Sequence, residues 1–581
     1  MAKTAGARPR QLAPRRTGEL ISSSRRAITL RAVASVSSSP GLAKSEPTTS
    51  PLFDRLAVAL LVVMAGVVLA MFRDYGLGWD DYTHSEYGDL LVALYGSGFT
   101  DRRALSFVNL YMYGGGFDLM AALAAKVAPF GLFETRRLVG GLVGLIGLLA
   151  TWRIGRRVGG PLAGLAALVL LATCPLYVGH MFMNAKDAPF AVAMAILLLA
   201  LVRVLETYPR IAPATGILTA AGFGLSIGSR VMGGFGVIDL TGALVVVAAI
   251  EARLNGLRPA VARLGRFVLS LLPVAVLAYA IMALVWPWSV IDPLNPLRAV
   301  GYFSRFFEKP WHELFAGELI TVTEMPRRYV ATLFLLQLPE IFLLLALAGS
   351  LGTLLAACRH KLSPNRRAVL AVVWLAGTVP ILVTVLARPA MYNGIRHFVF
   401  VLPPLAVLGG LASAWLIGTL RRHSVGLAAG TGIVLLAATA LPIVEMVRLH
   451  PYEYTYFNRL AGGVAGAHGR YMLDYWGLSF KQASQGLAAW LAQRHESKPA
   501  DRRWKLAVCG PHRSPQVELG PDFETTWDPQ GADFALMLGE FYCRTFDAPV
   551  VAEVVREGVV YARVYDIRGR SFTSLLTMPA P

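Results

Sequence analysis

Residues 78–89 read GWDDYTHSEYGD and set four carboxylates and a histidine directly behind a long apolar run. A carboxylate at the edge of a low-dielectric region becomes a poised general base when a neighbouring charge holds it, which makes Asp80 and Asp81 candidates for catalysis. Two distant segments carry complementary groups. Lys186 and Asp187 lie in HMFMNAKDAPF between two apolar runs, where a charged pair is costly unless it faces a polar cavity or water. Arg396 and His397 open RHFVFVLPPL, in which Pro403 and Pro404 are expected to interrupt a helix. A cation at such a helix end suits a phosphate. Asp81, His84 and Glu86 also offer oxygen and nitrogen donors, so a divalent metal is admitted, although no spacing here is diagnostic of one.

These groups need elements to position them, and the composition says which. The chain has 581 residues, 55% of them hydrophobic and 16% charged. Its mean hydropathy is +0.53. A soluble surface does not carry that balance, and apolar runs long enough to cross roughly 30 Å of hydrocarbon recur along the chain. Eleven candidate spans are expected, near 56–72, 137–151, 161–179, 188–205, 211–228, 232–250, 268–286, 330–357, 368–387, 396–419 and 425–447. The stretch 117–130 is too short for a span and is expected to lie along the interface or re-enter.

The net charge of +19 does not indicate a nucleic-acid binder, because Arg and Lys fall in short clusters between the apolar runs. With the N-terminus inside, the basic clusters around Arg153–Arg157, Arg203–Arg210, Arg253–Arg266, Arg359–Arg367 and Arg421–Arg422 all face the cytosol, as the positive-inside rule requires. Residues 73–136, the Lys186–Asp187 loop, residues 287–329, the Arg396 loop and everything beyond about 448 then share the outer face. Three regions are expected: a basic, disordered cytosolic tail over 1–50, a membrane domain over 51–450, and an extracytoplasmic domain over 451–581. The tail's Arg- and Ser-rich composition also fits a transit peptide. The last region carries strand-like runs, including a hairpin turning near Arg556–Gly558, so a small α/β domain is expected there. Cys509 and Cys543 both fall in it and are either bonded or two free thiols. The aromatic block HPYEYTYFNRLAGG and the following GRYMLDYWGLSFKQA suit either a membrane-interface belt or a sugar-stacking surface.

The acidic pair behind the first span, the stretch YMYGGGFDLMAAL, the second outer loop with its Asp and the late R-H-x-x-x-x-x-P pattern together resemble the GT-C superfamily of membrane glycosyltransferases. The branch most similar holds protein O-mannosyltransferases and lipid A aminoarabinose transferases. That resemblance implies a mainly α, polytopic enzyme of a bacterial plasma membrane that moves a sugar from a polyprenyl phosphate to a hydroxyl on a glycan, lipid or protein. It implies Asp80 as base with Asp81 as partner, Asp187 as the second acidic position and Arg396, with Lys186 and His397, at the donor phosphate. Tyr111 and Tyr113, with His84 and Glu86, become candidate substrate-binding residues. No cofactor is fixed by the resemblance beyond the divalent metal admitted above, and inversion by a single displacement is the expected course. A polytopic transporter is the rival class, yet the spans are nearly devoid of acids apart from Asp239.

Overall fold

The structure, a computed structural model, describes residues 50–304 and 310–575. The expected basic tail lies outside them but for its last residue. Among the described residues nine helices are long and apolar enough to cross a membrane, or ten if one bent pair forms a single span. The chain is a multi-pass membrane protein, mainly helical, with a small C-terminal sheet.

The expected spans are all helical, with three differences that follow from proline and length. The run 161–179 is two helices, Pro161–Ala172 and Pro175–Met183, bent by 64° at Thr173–Cys174. Pro175 donates no backbone hydrogen bond and disfavours helix in the residue before it, so the break falls there. The run 330–357 likewise divides at Pro339 into Arg328–Gln337 and Glu340–Ala357. The helix Pro213–Ser229 has 17 residues, about 25 Å at 1.5 Å per residue, short of a full crossing.

Pro403 and Pro404 do not interrupt their span. They occupy its first turn, in the helix Leu402–His423, where a missing N–H costs nothing. The irregular backbone lies just before them, a 3₁₀ run Arg396–Val401. The segment expected at the interface forms the short helix Gly116–Ala125.

Burial separates central spans from peripheral ones. In the first span and in Leu257–Val285 only 17% and 6% of the apolar window is covered by protein, whereas Asp187–Thr207 and Arg396–His423 are covered over 78% and 67%. The two best-packed spans therefore begin with Asp187 and Arg396. Close protein packing on all sides is what lets these ends be held to one geometry.

Charges divide between the two ends of the bundle. At one end Arg156 binds Asp54 at 2.7 Å, Arg157 pairs with Glu206, and Asn365 donates to the Glu206 and Tyr208 carbonyls. At the other end lie Asp80, Lys186, Asp187 and Arg396.

The C-terminal region holds a five-stranded sheet. Strands β3 (Trp504–Cys509), β4 (Phe523–Thr526), β5 (Phe534–Leu538), β6 (Val550–Arg556) and β7 (Val559–Asp566) take the order β4-β3-β5-β7-β6, following a two-stranded hairpin, β1 (His312–Phe315) and β2 (Glu318–Thr321), that belongs to a loop of the membrane domain. The β6–β7 hairpin turns at Glu557–Gly558, both with positive φ, matching the expected turn and the twist that two-residue hairpins prefer. Cys509 and Cys543 form a disulfide.

The aromatic block after the last span is not a membrane belt. Tyr452, Tyr454, Phe457, Tyr475 and Trp476 are buried in the same hydrophobic core as the spans. Asp474 accepts backbone hydrogen bonds from Gly477, Leu478 and Ser479 at 3.0–3.1 Å, which folds residues 474–479 into a tight turn and aims Trp476 inward.

Candidate active site

Asp80 ends the loop behind the first span and directly precedes the helix Asp81–Gly96, its side chain making no capping hydrogen bond to it. Its carboxylate pairs with the Lys186 ammonium at 3.1 Å. The protein around that carboxyl would by itself push its pKa up, but Lys186, Arg396 and His84 outweigh this and bring it down to about 2. Asp80 is thus ionised at neutral pH, with 38% of its side chain open to solvent.

Asn184 organises the next shell of contacts. Its carbonyl oxygen accepts the Lys186 and Asp187 backbone N–H groups at 3.0 and 2.7 Å, and its amide donates to Asp187 at 2.9 Å. The Asp187 carboxylate also pairs with Arg230. The Tyr113 ring lies beneath both cations, 5.2 Å from the Lys186 ammonium and 5.6 Å from the Arg230 guanidinium. His180 completes the floor, its Nε2 3.2 Å from the Tyr475 hydroxyl.

Arg396 is set differently. Only 4% exposed, it stacks on Tyr392 and Trp476, each ring centroid 4.7 Å from its guanidinium carbon. Among the described residues it makes no ion pair and no hydrogen bond, and its buried Nε lacks a partner. Among the described residues the Trp476 indole N–H is also buried without a partner. Gly78 permits this arrangement, because a Cβ there would overlap the Trp476 indole. A buried cation held by π faces, beside acids that already have other partners, keeps its guanidinium N–H groups free to meet an anion.

The structure thus gathers Asp80, Lys186, Asp187, Arg396 and Tyr113 from four loops. His397 lies half-buried next to them, its ring 5.0 Å from that of Tyr392 and its Nδ1 without a partner among the described residues. Tyr111 stands farther back as wall, edge-on to Trp288 at 5.2 Å, its carbonyl accepting the Trp286 indole N–H at 2.9 Å.

Three candidates are placed elsewhere. Asp81 is buried and takes a two-pronged ion pair from Arg137 at 2.7 and 2.6 Å, with the Gly78 N–H at 2.7 Å. These contacts anchor the 78–81 turn. His84 Nδ1 lies 2.6 Å from Asp118, which Arg136 also binds at 2.5 Å, while its Nε2 is buried without a partner. Glu86 is exposed, since positions 84 and 86 of one helix point in nearly opposite directions. Asp81, His84 and Glu86 therefore do not converge, and among the described residues no group of three or more His, Cys, Asp or Glu side chains is gathered as for a metal ion. Asp239 is buried beside an apolar pocket lined by Met194, Leu197 and Phe400.

Breaking the Asp81 anchor should be costly. Arg137→Ala leaves a buried carboxylate unpaired, a loss of about 3–5 kcal/mol. The expected result is a clearly lower melting midpoint by scanning fluorimetry in detergent, with Glu86→Ala unchanged.

Two buried carboxyls support the loops that carry Arg396 and Trp476. Glu313 accepts the Asn393 N–H at 2.7 Å, and Glu540 accepts the Leu473 N–H at 2.9 Å. Burial pushes Glu313 up to about 7 and Glu540 up to about 8, against an ordinary 4.5, outweighing the hydrogen bonds that favour the anion. Because the folded state holds these protons more tightly than the unfolded state, stability is full below about 4.5 and is lost as pH rises through 7 and 8. The melting midpoint should fall over that window, and Glu540→Gln should flatten the fall.

The fold and the site together define a class: a polytopic membrane protein with an acid-and-cation cluster at one end of its bundle. Known proteins give the comparison. Residues 116–279 match the family model described as dolichyl-phosphate-mannose-protein mannosyltransferase. No curated protein sequence matches the chain. Among solved structures, ArnT from Cupriavidus metallidurans bound to undecaprenyl phosphate aligns at 19% identity over 89% of this chain and 98% of that one, with a TM-score of 0.45. The Archaeoglobus fulgidus oligosaccharyltransferase in its apo form aligns at 13% identity over 82% of this chain and 65% of that one, with a TM-score of 0.44. Over residues 116–279 the chain is thus similar to the dolichyl-phosphate-mannose-protein mannosyltransferases.

Proposed function

We propose that the protein is a glycosyltransferase that takes a sugar from a polyprenyl phosphate and passes it to a hydroxyl acceptor at the extracytoplasmic face. The observation that carries this reading is Arg396, a buried guanidinium with no ion pair among the described residues, stacked on Tyr392 and Trp476 next to the Asp80–Lys186 pair. The family match over residues 116–279 supports the donor class. The Cys509–Cys543 disulfide supports an oxidising compartment for the C-terminal domain, on the same side as the site.

In this reading the acceptor oxygen attacks the anomeric carbon as the bond from that carbon to the phosphate oxygen breaks. The bonding pair leaves with the phosphate, whose charge Arg396 and Lys186 receive, and the acceptor proton passes to Asp80. One displacement inverts the anomeric centre without a covalent enzyme intermediate.

Donor binding also arms the base. Lys186 and Arg396 are what hold the Asp80 pKa down, so a phosphate that draws on the same two cations raises the proton affinity of Asp80 when the sugar is in place. Asp187, tied to Arg230 and Asn184, orients Lys186 and is not required to move a proton.

The test is a panel of polyprenyl-phosphate sugars offered to the purified protein with candidate acceptors, following release of the lipid phosphate. Release with one donor is expected; release with none would end the proposal.

A further inference from the structure

Asp80 stands in the chain between two exposed rings, Trp79 at 42% and Tyr82 at 38% exposure, and the C-terminal domain sets Tyr542 at 42% and Trp527 at 63%. These rings are tied into one rim. The Trp79 N–H donates to the Trp476 carbonyl at 3.2 Å, which fixes it beside the residue that stacks on Arg396. The Trp79 side chain lies near the Tyr542 hydroxyl. Arg513 lies over the Tyr82 ring at 4.8 Å, and its neighbour His512 stacks on Trp527 at 4.8 Å and 19°. The Cys509–Cys543 disulfide joins the two loops involved, since Tyr542 precedes Cys543 and His512 and Arg513 follow Cys509 shortly.

We propose that this rim is the acceptor subsite and that the group it holds is a sugar ring of a glycan. The inference rests on the reading of Asp80 as the base, because whatever hydroxyl reaches Asp80 must pass the residues beside it. The chemistry of the rim then selects the ring. Trp79, Tyr82, His512, Arg513, Trp527 and Tyr542 offer flat π faces whose edges carry N–H and O–H groups, without an aliphatic side chain among them. A pyranose or furanose has the matching surface, C–H bonds on its faces and hydroxyls around its edge. An acyl chain would need aliphatic walls, and leaving large rings in water is otherwise unfavourable. The disulfide keeps the two domain loops in register, so the ring is presented to Asp80 without an ordering cost at each turnover.

The test uses the full chain in nanodiscs and saturation-transfer NMR with two probe sets, a panel of methyl glycosides and a hydroxyl-bearing peptide. At least one glycoside is expected to show transfer, weakened about tenfold in both the Trp79→Ala and the Tyr542→Ala variants. Transfer to the peptide alone, transfer to no glycoside, or glycoside transfer unchanged in both Trp79→Ala and Tyr542→Ala would overturn the inference. Binding of undecaprenyl phosphate is measured on the same samples. If it persists while the glycosides fail, the acceptor assignment falls and the donor reading stands; if it too is absent, the failure lies in the proposed function itself.

Discussion

Replacing Arg396 by alanine is expected to lower turnover by about 10²–10³-fold, the scale for removing one fixed donor of charge stabilisation. The reason is specific to this side chain. Lys186 shares its charge with Asp80 and Arg230 with Asp187, so both are partly spent before substrate arrives. Arg396 stacks on the faces of Tyr392 and Trp476 and has no ion pair among the described residues. Arg396→Lys should recover part of the loss at most, because an ammonium keeps the charge but loses the planar fork and the double stacking. The measurement is lipid phosphate release at saturating donor, with a melting curve to show that the variant is folded. A variant that is folded and fully active would remove Arg396 from the phosphate.

The second large effect is at Asp80. Asp80→Asn should lower kcat by about 10²–10⁴-fold, the range for a general base. Its side chain is 38% exposed and its one ion pair is with Lys186, so the fold should survive the change. The wild-type pH profile gives a sharper check. With Asp80 at about 2 in the unloaded protein, activity read as kcat/KM should hold far into acid. Once the donor phosphate occupies Lys186 and Arg396, the Asp80 value rises, so the acid limb of kcat should stand at higher pH than that of kcat/KM. Coincident limbs would contradict arming of the base by the donor.

Much of the architecture is legible in the sequence because apolar runs and basic clusters obey independent rules. Transfer free energy marks the spans and the charge bias sets their direction, and the two agree. The same logic brings Asp80, Lys186 and Arg396 to one end of the bundle before any contact is known. Arg230 is reachable by that logic too, since it sits alone in the short turn between the helices ending at Ser229 and starting at Val231, yet it carries no motif to draw the eye.

What the sequence hides is local direction and tertiary convergence. Asp80 and Asp81 look equivalent as neighbours, but helix begins at Asp81, and that one step turns its carboxylate into the protein toward Arg137 while Asp80 remains at the mouth. His84 and Glu86 separate for the same reason once their segment is helical. Tyr392 and Trp476 are 84 residues apart in the numbering, and nothing in either stretch announces that they close on one guanidinium. The folded turn around Asp474 that delivers Trp476 depends on backbone hydrogen bonds with no sequence period.

The central claim is that a lipid phosphate binds at Arg396, and direct binding of undecaprenyl phosphate tests it without knowledge of the sugar or the acceptor. Native mass spectrometry of the full chain should show one tightly retained lipid phosphate in the wild type and in Asp80→Asn, and its loss in Arg396→Ala. Equal retention by wild type and Arg396→Ala would contradict the account.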